Sequence, residues 1–427
     1  MGTTATGKKV QVLWKKEAVY GEQETGNFRL MPIFTADPGI EQPLEQDNIL
    51  SAGTGRDPSD PDLGVKDGKG TLSVPADVRY FGHWLQQLMG DAVTLDAKSN
   101  GTIKFSRNPV DADTITINGV VFNLKDTPVG TDIQIGADLK ATLDNIVNAL
   151  NASVDVDVDD ATYSENGLDK LVVEHDVVGS GGDTFTLAAS AATVSGATLS
   201  GGTSKSHVFS SGGEDLPSSN IEMGHSKVSR YNLNTGVQVN SAALEITRGG
   251  SLKATLELIL QDEIKNTSTQ GGTPQTYTLT KFSNSKAQLM IDDEVAGNIT
   301  SGRFTFGNQL EIEDQVGRED GLINGTNEGE TLINGNMTAR VANNTKYLLD
   351  KSDTTPPTPV KLGFKWENNP GEKMVWTFPR VFVPRRKESV SGPGGIVVDF
   401  AFQGSYDSVN AAPAATVQLI NDVAAYN

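Results

Sequence analysis

The residues from which hydrolytic or metal chemistry would start are four histidines, His83, His175, His207 and His225. None lies at an HExxH or other metal-ligand spacing. His83 falls in a helical stretch, where a solvated or capping role is expected. His175 alternates with Val172 and Val173 as in a strand. His207 and His225 have no acidic partner at a telling offset. The run Asp155-Val156-Asp157-Val158-Asp159-Asp160 invites a calcium reading. A calcium loop of that type needs glycine at its sixth position and glutamate at its twelfth. Here those positions are Asp160 and Asn166, so a half-exposed strand with valines inward is expected instead. Gly179-Ser180-Gly181-Gly182 lacks the lysine and following helix of a phosphate cradle. GxGxxG, P-loop and GxSxG patterns are absent from the sequence. With 54 acidic residues some carboxylate pair is always close, so acidity alone argues no glycosidase. The reading is a non-enzyme without catalytic, cofactor-binding or metal residues.

Composition bounds the rest. The chain has 427 residues, 35 Lys plus Arg, no Cys, and a net charge of −19. Such acidity repels phosphate rather than holding nucleic acid. The lack of cysteine removes disulfides and thiolate sites, and suits a reducing cytoplasm. No apolar run reaches the roughly 18 residues of a membrane span. Met1 to Lys9 is polar, so export through a signal core is not expected. Glycine, at 45 residues, is abundant and points to many turns.

The elements that would position any site are mostly strands. Alternation of period two runs through Val237 to Thr247 and Ser251 to Leu260, with Gly249-Gly250 as their hairpin turn. Lys286 to Asp292, Gly302 to Phe306, Lys361 to Glu367, Met374 to Val383 and Ile396 to Phe402 read likewise. Pro379 inside one of them marks an edge or a bulge. A flanking helix is expected between Pro75 and Gly90, with Val78, Phe81, Leu85, Leu88 and Met89 as its apolar stripe. Residues after Ala414 suggest a short terminal helix. Leu322-Ile323-Asn324-Gly325 returns as Leu332-Ile333-Asn334-Gly335, and both Asn-Gly pairs suit hairpin turns. The fold expected is mainly β, a sandwich or barrel.

Two stretches stand apart. Residues 99–204 lie between Ser/Gly-rich flanks and contain a strand from Thr102 to Ser106 and a hairpin over Asp113 to Leu124 with an Asn118-Gly119 turn. A helix follows over 137–150, with Asp138 near its positive end. Strands are expected at Ser153 to Val158, Lys170 to Glu174 and Thr184 to Ala188. We read a small α/β domain inserted between 1–98 and 205–427. Residues 35–70, with Asp37, Pro38, Pro43, Asp57, Pro58 and Pro61, show little apolar periodicity and read as a long extended loop. A loop of that length is either a functional arm or a solvated segment. Arg380, Arg385, Arg386 and Lys387 form a basic cluster that is either solvated or set against an acidic neighbour.

These residues carry a resemblance. The run Lys16-Glu17-Ala18-Val19-Tyr20-Gly21-Glu22, then Gly70 to Pro75 and Phe81 to Gly90, resembles the opening of phage tail tube proteins. His207-Val208-Phe209, then Leu216 to Glu222, resembles that family's re-entry into its tube sheet. Tyr231-Asn232, Gly236, Val239-Asn240-Ser241 and Leu252 to Leu260 resemble its central hairpin. Phe105 to Pro109, Asp113 to Phe122 and Val129 to Gly136 are similar to a small domain of phage virion proteins.

The resemblance implies a major tail tube subunit. In such a family hexameric rings would stack head to tail, and their inner sheets would join into a barrel that conducts DNA as passing cargo, without specific binding. The partners would be further copies of the chain and other tail proteins at the tube ends. The location would be the virion tail, after assembly in the host bacterial cytoplasm. The polar face of the 237–260 hairpin, with Gln238, Asn240, Glu245, Lys253, Thr255 and Glu257, would line the lumen or simply face solvent. Residues 35–70 would tie rings together, and 99–204 would project outward. The competing reading is a virion decoration or adhesin protein that binds host-surface glycans through the insert.

Overall fold

The computed structural model describes residues 4–47, 57–296, 299–313, 318–387 and 396–426. We number the main elements in chain order. They begin with β1 (Gln11–Lys16), β2 (Asp67–Pro75), α1 (Phe81–Met89) and β3 (Val93–Asp96). Helix α2 (Leu139–Asn151) follows, then β4 (Lys205–Ser210), β5 (Ser219–His225), β6 (Arg230–Ile246) and β7 (Lys253–Ile259). Next come β8 (Gln288–Ile291), β9 (Ile299–Gly307), β10 (Leu332–Arg340) and helix α3 (Asn343–Ser352). The chain ends on β11 (Val360–Asn369), β12 (Glu372–Phe382), β13 (Val397–Gly404) and β14 (Thr416–Asn421).

One antiparallel sheet runs β2–β7–β6–β9–β10–β13. A second runs β8–β11–β12–β14–β4–β3. The end of β12 turns the corner, pairing Val381 and Phe382 with Gly404 and Gln403 of β13. Alternation in each strand turns one apolar face inward, and the two inner faces pack as a sandwich. Phe304 of β9 lies 4.9 Å from Phe364, 5.0 Å from Trp376 and 5.3 Å from Phe378, ring centroid to centroid. Each fully buried Phe contributes about 1.5–3 kcal/mol.

The first half of β6 leaves this sandwich and pairs with β5 and with Asp262–Asn266, while β5 pairs with β1. Helix α1 lies against β6, where the Asn308 amide donates to both Leu88 O and Val239 O at 3.0 Å, and all nine of its residues are buried. Its start differs from expectation. Pro75 is the last residue of β2, and the helix is capped by Asp77, which accepts from the amides of Arg79, Tyr80 and Phe81. Gly90 ends it at φ 85° as expected.

Residues 98–199 hold two four-stranded sheets around a hydrophobic cluster that shares no residue with the sandwich core. Helix α2 is capped by Asp138, which accepts from Ala141 N at 2.8 Å, and sends Leu143, Ile146 and Leu150 into that cluster. The hairpin turns at Asn118 and Gly119, both at positive φ.

Four expectations are corrected. Ser153 to Val158 is a turn rather than a strand; Val154 and Val156 are 92% and 77% exposed, and Val158 alone is buried. The C-terminal stretch is the strand β14, which fills the slot between β12 and β4. Asn334-Gly335 lies inside β10, and Gly325 opens a short strand, so neither repeat is a hairpin turn. The described residues of 35–70 are not a bare loop but pair as an antiparallel ribbon, detailed below. Helix α3 went unforeseen because little more than Leu348 and Leu349 gives it an apolar face. Pro379 sits at a register shift of β12 against β11, as its missing N–H requires.

Candidate assembly surfaces

The outer face of the first sheet is built by one irregularity. Val239 pairs with Leu258 and Ser241 with Glu257, so Asn240 is an extra residue in β6. Such a bulge inverts which side chains face the core. Val237 and Val239 are buried before it, and Ala242 and Leu244 after it. Gln238 and Glu245 therefore share the outer side, although a regular strand would separate even from odd positions.

Of the six polar positions expected on this face, Glu245, Lys253, Thr255 and Glu257 are exposed. Asn240 is half-buried and accepts from Leu310 N at 2.9 Å. Gln238 is buried: its amide donates to Leu216 O at 3.1 Å and its carbonyl accepts from the Thr326 hydroxyl. These two are tied down by neighbouring chain rather than offered to solvent.

Register extends the face across all six strands. Ser73, Thr255, Ala243, Thr305, Asn334 and Gln403 stand side by side in one row. Pro75, Lys253, Glu245, Arg303, Asn336 and Ala401 form the next. No large apolar side chain interrupts either row. A groove of about 370 Å³ runs between Ser241, Glu257 and Thr305. Its cations are engaged: Arg303 lies 3.5 Å from Glu245, and the Lys253 ammonium lies 4.7 Å from the centre of the Phe34 ring. Such a surface is wetted but holds no unpaired cationic cluster to grip a phosphate backbone.

The ribbon is the second surface. Gly39–Glu41 pairs with Asp67–Lys69 of β2, and Leu44–Glu45 pairs with Asp62–Leu63. The strands are too short, and Pro43, Pro58 and Pro61 too frequent, for a period of two to be legible. Pro38 is buried at the root, and the Asp37 carboxylate accepts from the Thr71 hydroxyl at 2.7 Å. Asp57, Pro58 and Pro61 lie exposed further out, and residues 48–56 fall outside the described residues. Leu44 and Leu63 face each other across the ladder, 66% and 68% exposed.

Residues 98–199 touch the second sheet. Val295 N donates to Asn166 O at 3.3 Å, and Lys140 lies 3.8 Å from Glu294. Glu294–Val295 pairs with β8, at that sheet's margin. The polar face belongs to the first sheet, whose other side the second sheet covers.

Buried polar groups knit the sandwich ends. His83 is not solvated or capping. It is buried against Trp14, Tyr277 and Tyr426, and neither ring nitrogen has a hydrogen-bond partner among the described residues. Burial, helped by nearby Arg29, lowers its pKa to about 3 and keeps it neutral. His207 is also buried, bonded to Thr94 Oγ1 at 2.9 Å and Asn421 Oδ1 at 3.1 Å. Glu17 was not singled out as a site residue, although it lies in a run that carries the resemblance. Its carboxylate accepts from Gly21 N at 3.0 Å, Gly236 N at 2.7 Å, the Ser218 hydroxyl and the Asn220 amide. Three distant runs of the sequence therefore meet at one buried carboxylate, whose pKa burial raises. In the basic cluster, Arg385 pairs with Asp353 at 3.0 Å and Arg380 lies 3.9 Å from Asp407, while Arg386 and Lys387 are exposed. No group of three or more His, Asp or Glu able to hold a metal occurs among the described residues.

The family model described as phage tail tube protein matches residues 7–404. No curated protein matches the chain.

Proposed function

The chain belongs to the phage tail tube protein family and is a structural component of the virion tail, and on that premise we propose that it is the repeating subunit of the DNA conduit. Six copies form a ring, rings stack head to tail, and the stack carries DNA from capsid to host without catalysis. The observation that carries this is the six-stranded sheet with one dry face and one face of hydroxyls, amides and balanced charges. A wall of that kind lets a polyanion pass without sticking. We assign the polar face to the lumen, with Glu245, Lys253, Thr255 and Glu257 exposed on it.

Ring closure has a chemical motive. Val397–Phe402 of β13 has a ladder on its β10 side only, among the described residues. An unpaired edge is an aggregation hazard that a closed barrel abolishes. A heterologous contact of identical subunits generates such a ring. The ribbon at 36–66 is the inter-ring arm. The 99–204 segment is an inserted domain on the outside, since its contacts lie on the sheet opposite the polar face. Assembly takes place in the host cytoplasm.

Negative-stain electron microscopy of the concentrated protein tests the reading. Hollow filaments or stacked six-fold rings are expected. Only small compact particles across concentration and salt would count against it, as would retention of duplex DNA at physiological salt.

A further inference from the structure

The arm and a hollow rimmed by two arginines lie at opposite ends of the same strands. The arm leaves at Asp67–Lys69 of β2, beside Ile259 at the end of β7. At the other end of β7, past Lys253, the β6–β7 turn holds Arg248. Arg340 at the end of β10 lies on the same hollow, which has a volume of about 400 Å³. The two ends are about 20 Å apart, from seven strand residues at roughly 3.3 Å each.

The hollow has apolar walls from Ile246, Leu289 and Val295, and hydroxyls from Ser285 and Thr247 on its rim. Among the described residues no Asp or Glu lines it, in a chain of net charge −19. Arg248 is exposed and has no ion-pair partner among the described residues. The Asn284 Oδ1 in its wall is buried without a hydrogen-bond partner among the described residues. The arm carries the complement. Residues 37–67 hold eight carboxylates against Arg56 and Lys66. Glu41, Glu45, Asp60 and Asp62 are exposed and make no ion pair among the described residues. Beside them Leu44 and Leu63 form an uncovered apolar pair.

We propose that the acidic arm of one copy docks in the Arg248–Arg340 hollow of the copy stacked beyond it, with Leu44 and Leu63 against the apolar wall and Glu45 and Asp62 toward the arginines. This rests on the reading of 36–66 as an inter-ring arm and names its receptor. Head-to-tail stacking brings opposite ends of identical subunits together, which is the geometry this pairing needs. Opposite charges steer the register, and the leucines supply the burial.

The cysteine-free chain makes the test clean. Ser59→Cys on the arm and Ser285→Cys on the hollow, in one full-length chain, are treated with a short bismaleimide. A ladder of covalent multimers is expected, absent from either single variant. Adding Arg248→Glu and Arg340→Glu should cut the ladder at least about tenfold, and Glu45→Lys with Asp62→Lys should restore it. Thermal unfolding checks that the reversed variants fold, as exposed positions should. No ladder at any concentration overturns the docking. Deleting 36–66 separates the two ideas. If deletion abolishes tubes but arginine reversal does not, and no ladder forms, the arm reading stands and the hollow is wrong. If the deleted protein still makes long tubes, the arm reading itself falls.

Discussion

Gly335 of β10 and Phe402 of β13 face each other across the ladder, and the aromatic ring occupies the space a side chain would need. A Cβ on Gly335 would stand 2.4 Å from Phe402 Cζ and 2.4 Å from the carbonyl oxygen of Arg303. The second contact is backbone and has no rotamer escape. Gly335→Val should therefore destabilise the fold by about 1–3 kcal/mol, read as a lower denaturant midpoint. An unchanged midpoint would mean that β10 and β13 separate without cost.

Asp77 should make stability fall as pH rises through mild acid. Burial lifts its carboxyl from 3.8 to about 6, against the three amides and Arg79 that favour its charge. A folded pKa above the unfolded one means that the native state binds the proton more tightly. The contribution is fully present below about pH 4 and is lost by about pH 6, at most 2–3 kcal/mol. In Asp77→Asn the decline specific to this window should vanish. A wild-type-like slope would show that the amides hold the charge after all.

His83 has the opposite sign. Its folded pKa, about 3, lies below the ordinary value of 6.5, so the unfolded chain takes up the proton first. Stability should fall as pH drops from about 6.5 toward 3. His83→Phe keeps the aromatic packing and removes both unpartnered nitrogens. It should raise the melting temperature at pH 5 relative to the parent chain. A lower value would point to an ordered water on the ring that the phenyl group cannot hold.

Excising residues 99–203 should leave a folded subunit. Ala97 N donates to Ser204 O at 2.9 Å, so the two ends already meet and a short Gly/Ser turn can close them. The lost contacts are few and polar, such as Lys140 with Glu294. Soluble protein with a cooperative unfolding transition, and tubes of reduced outer diameter, are expected. Aggregation of the excised chain would mean that the two hydrophobic clusters depend on one another.

Much of this molecule was legible in its sequence. Alternation in 237–260 and 361–383 revealed strands, because a half-buried strand repeats every two residues wherever it lies. Asp138 and the Leu143, Ile146, Leu150 spacing revealed α2, because capping and a 3.6 period are local. The polar face was only half legible: Glu245, Lys253, Thr255 and Glu257 are exposed, but Gln238 is held beneath Leu216 and Thr326. The ribbon escaped because its strands are two or three residues long.

The sequence by itself determined the long strands of 237–260 and 361–383, the helix α2 and the family, since these rest on residue types and their near neighbours. Only the tertiary structure decided that Asn240 bulges, that β6 serves two sheets, that His83 is walled in by Trp14, Tyr277 and Tyr426, and that the ribbon and Arg248 lie at opposite ends of β7. The reason is physical. Periodicity records that one face of an element is buried, but its partner, and whether the other face is buried too, are set by contacts between residues far apart in the chain.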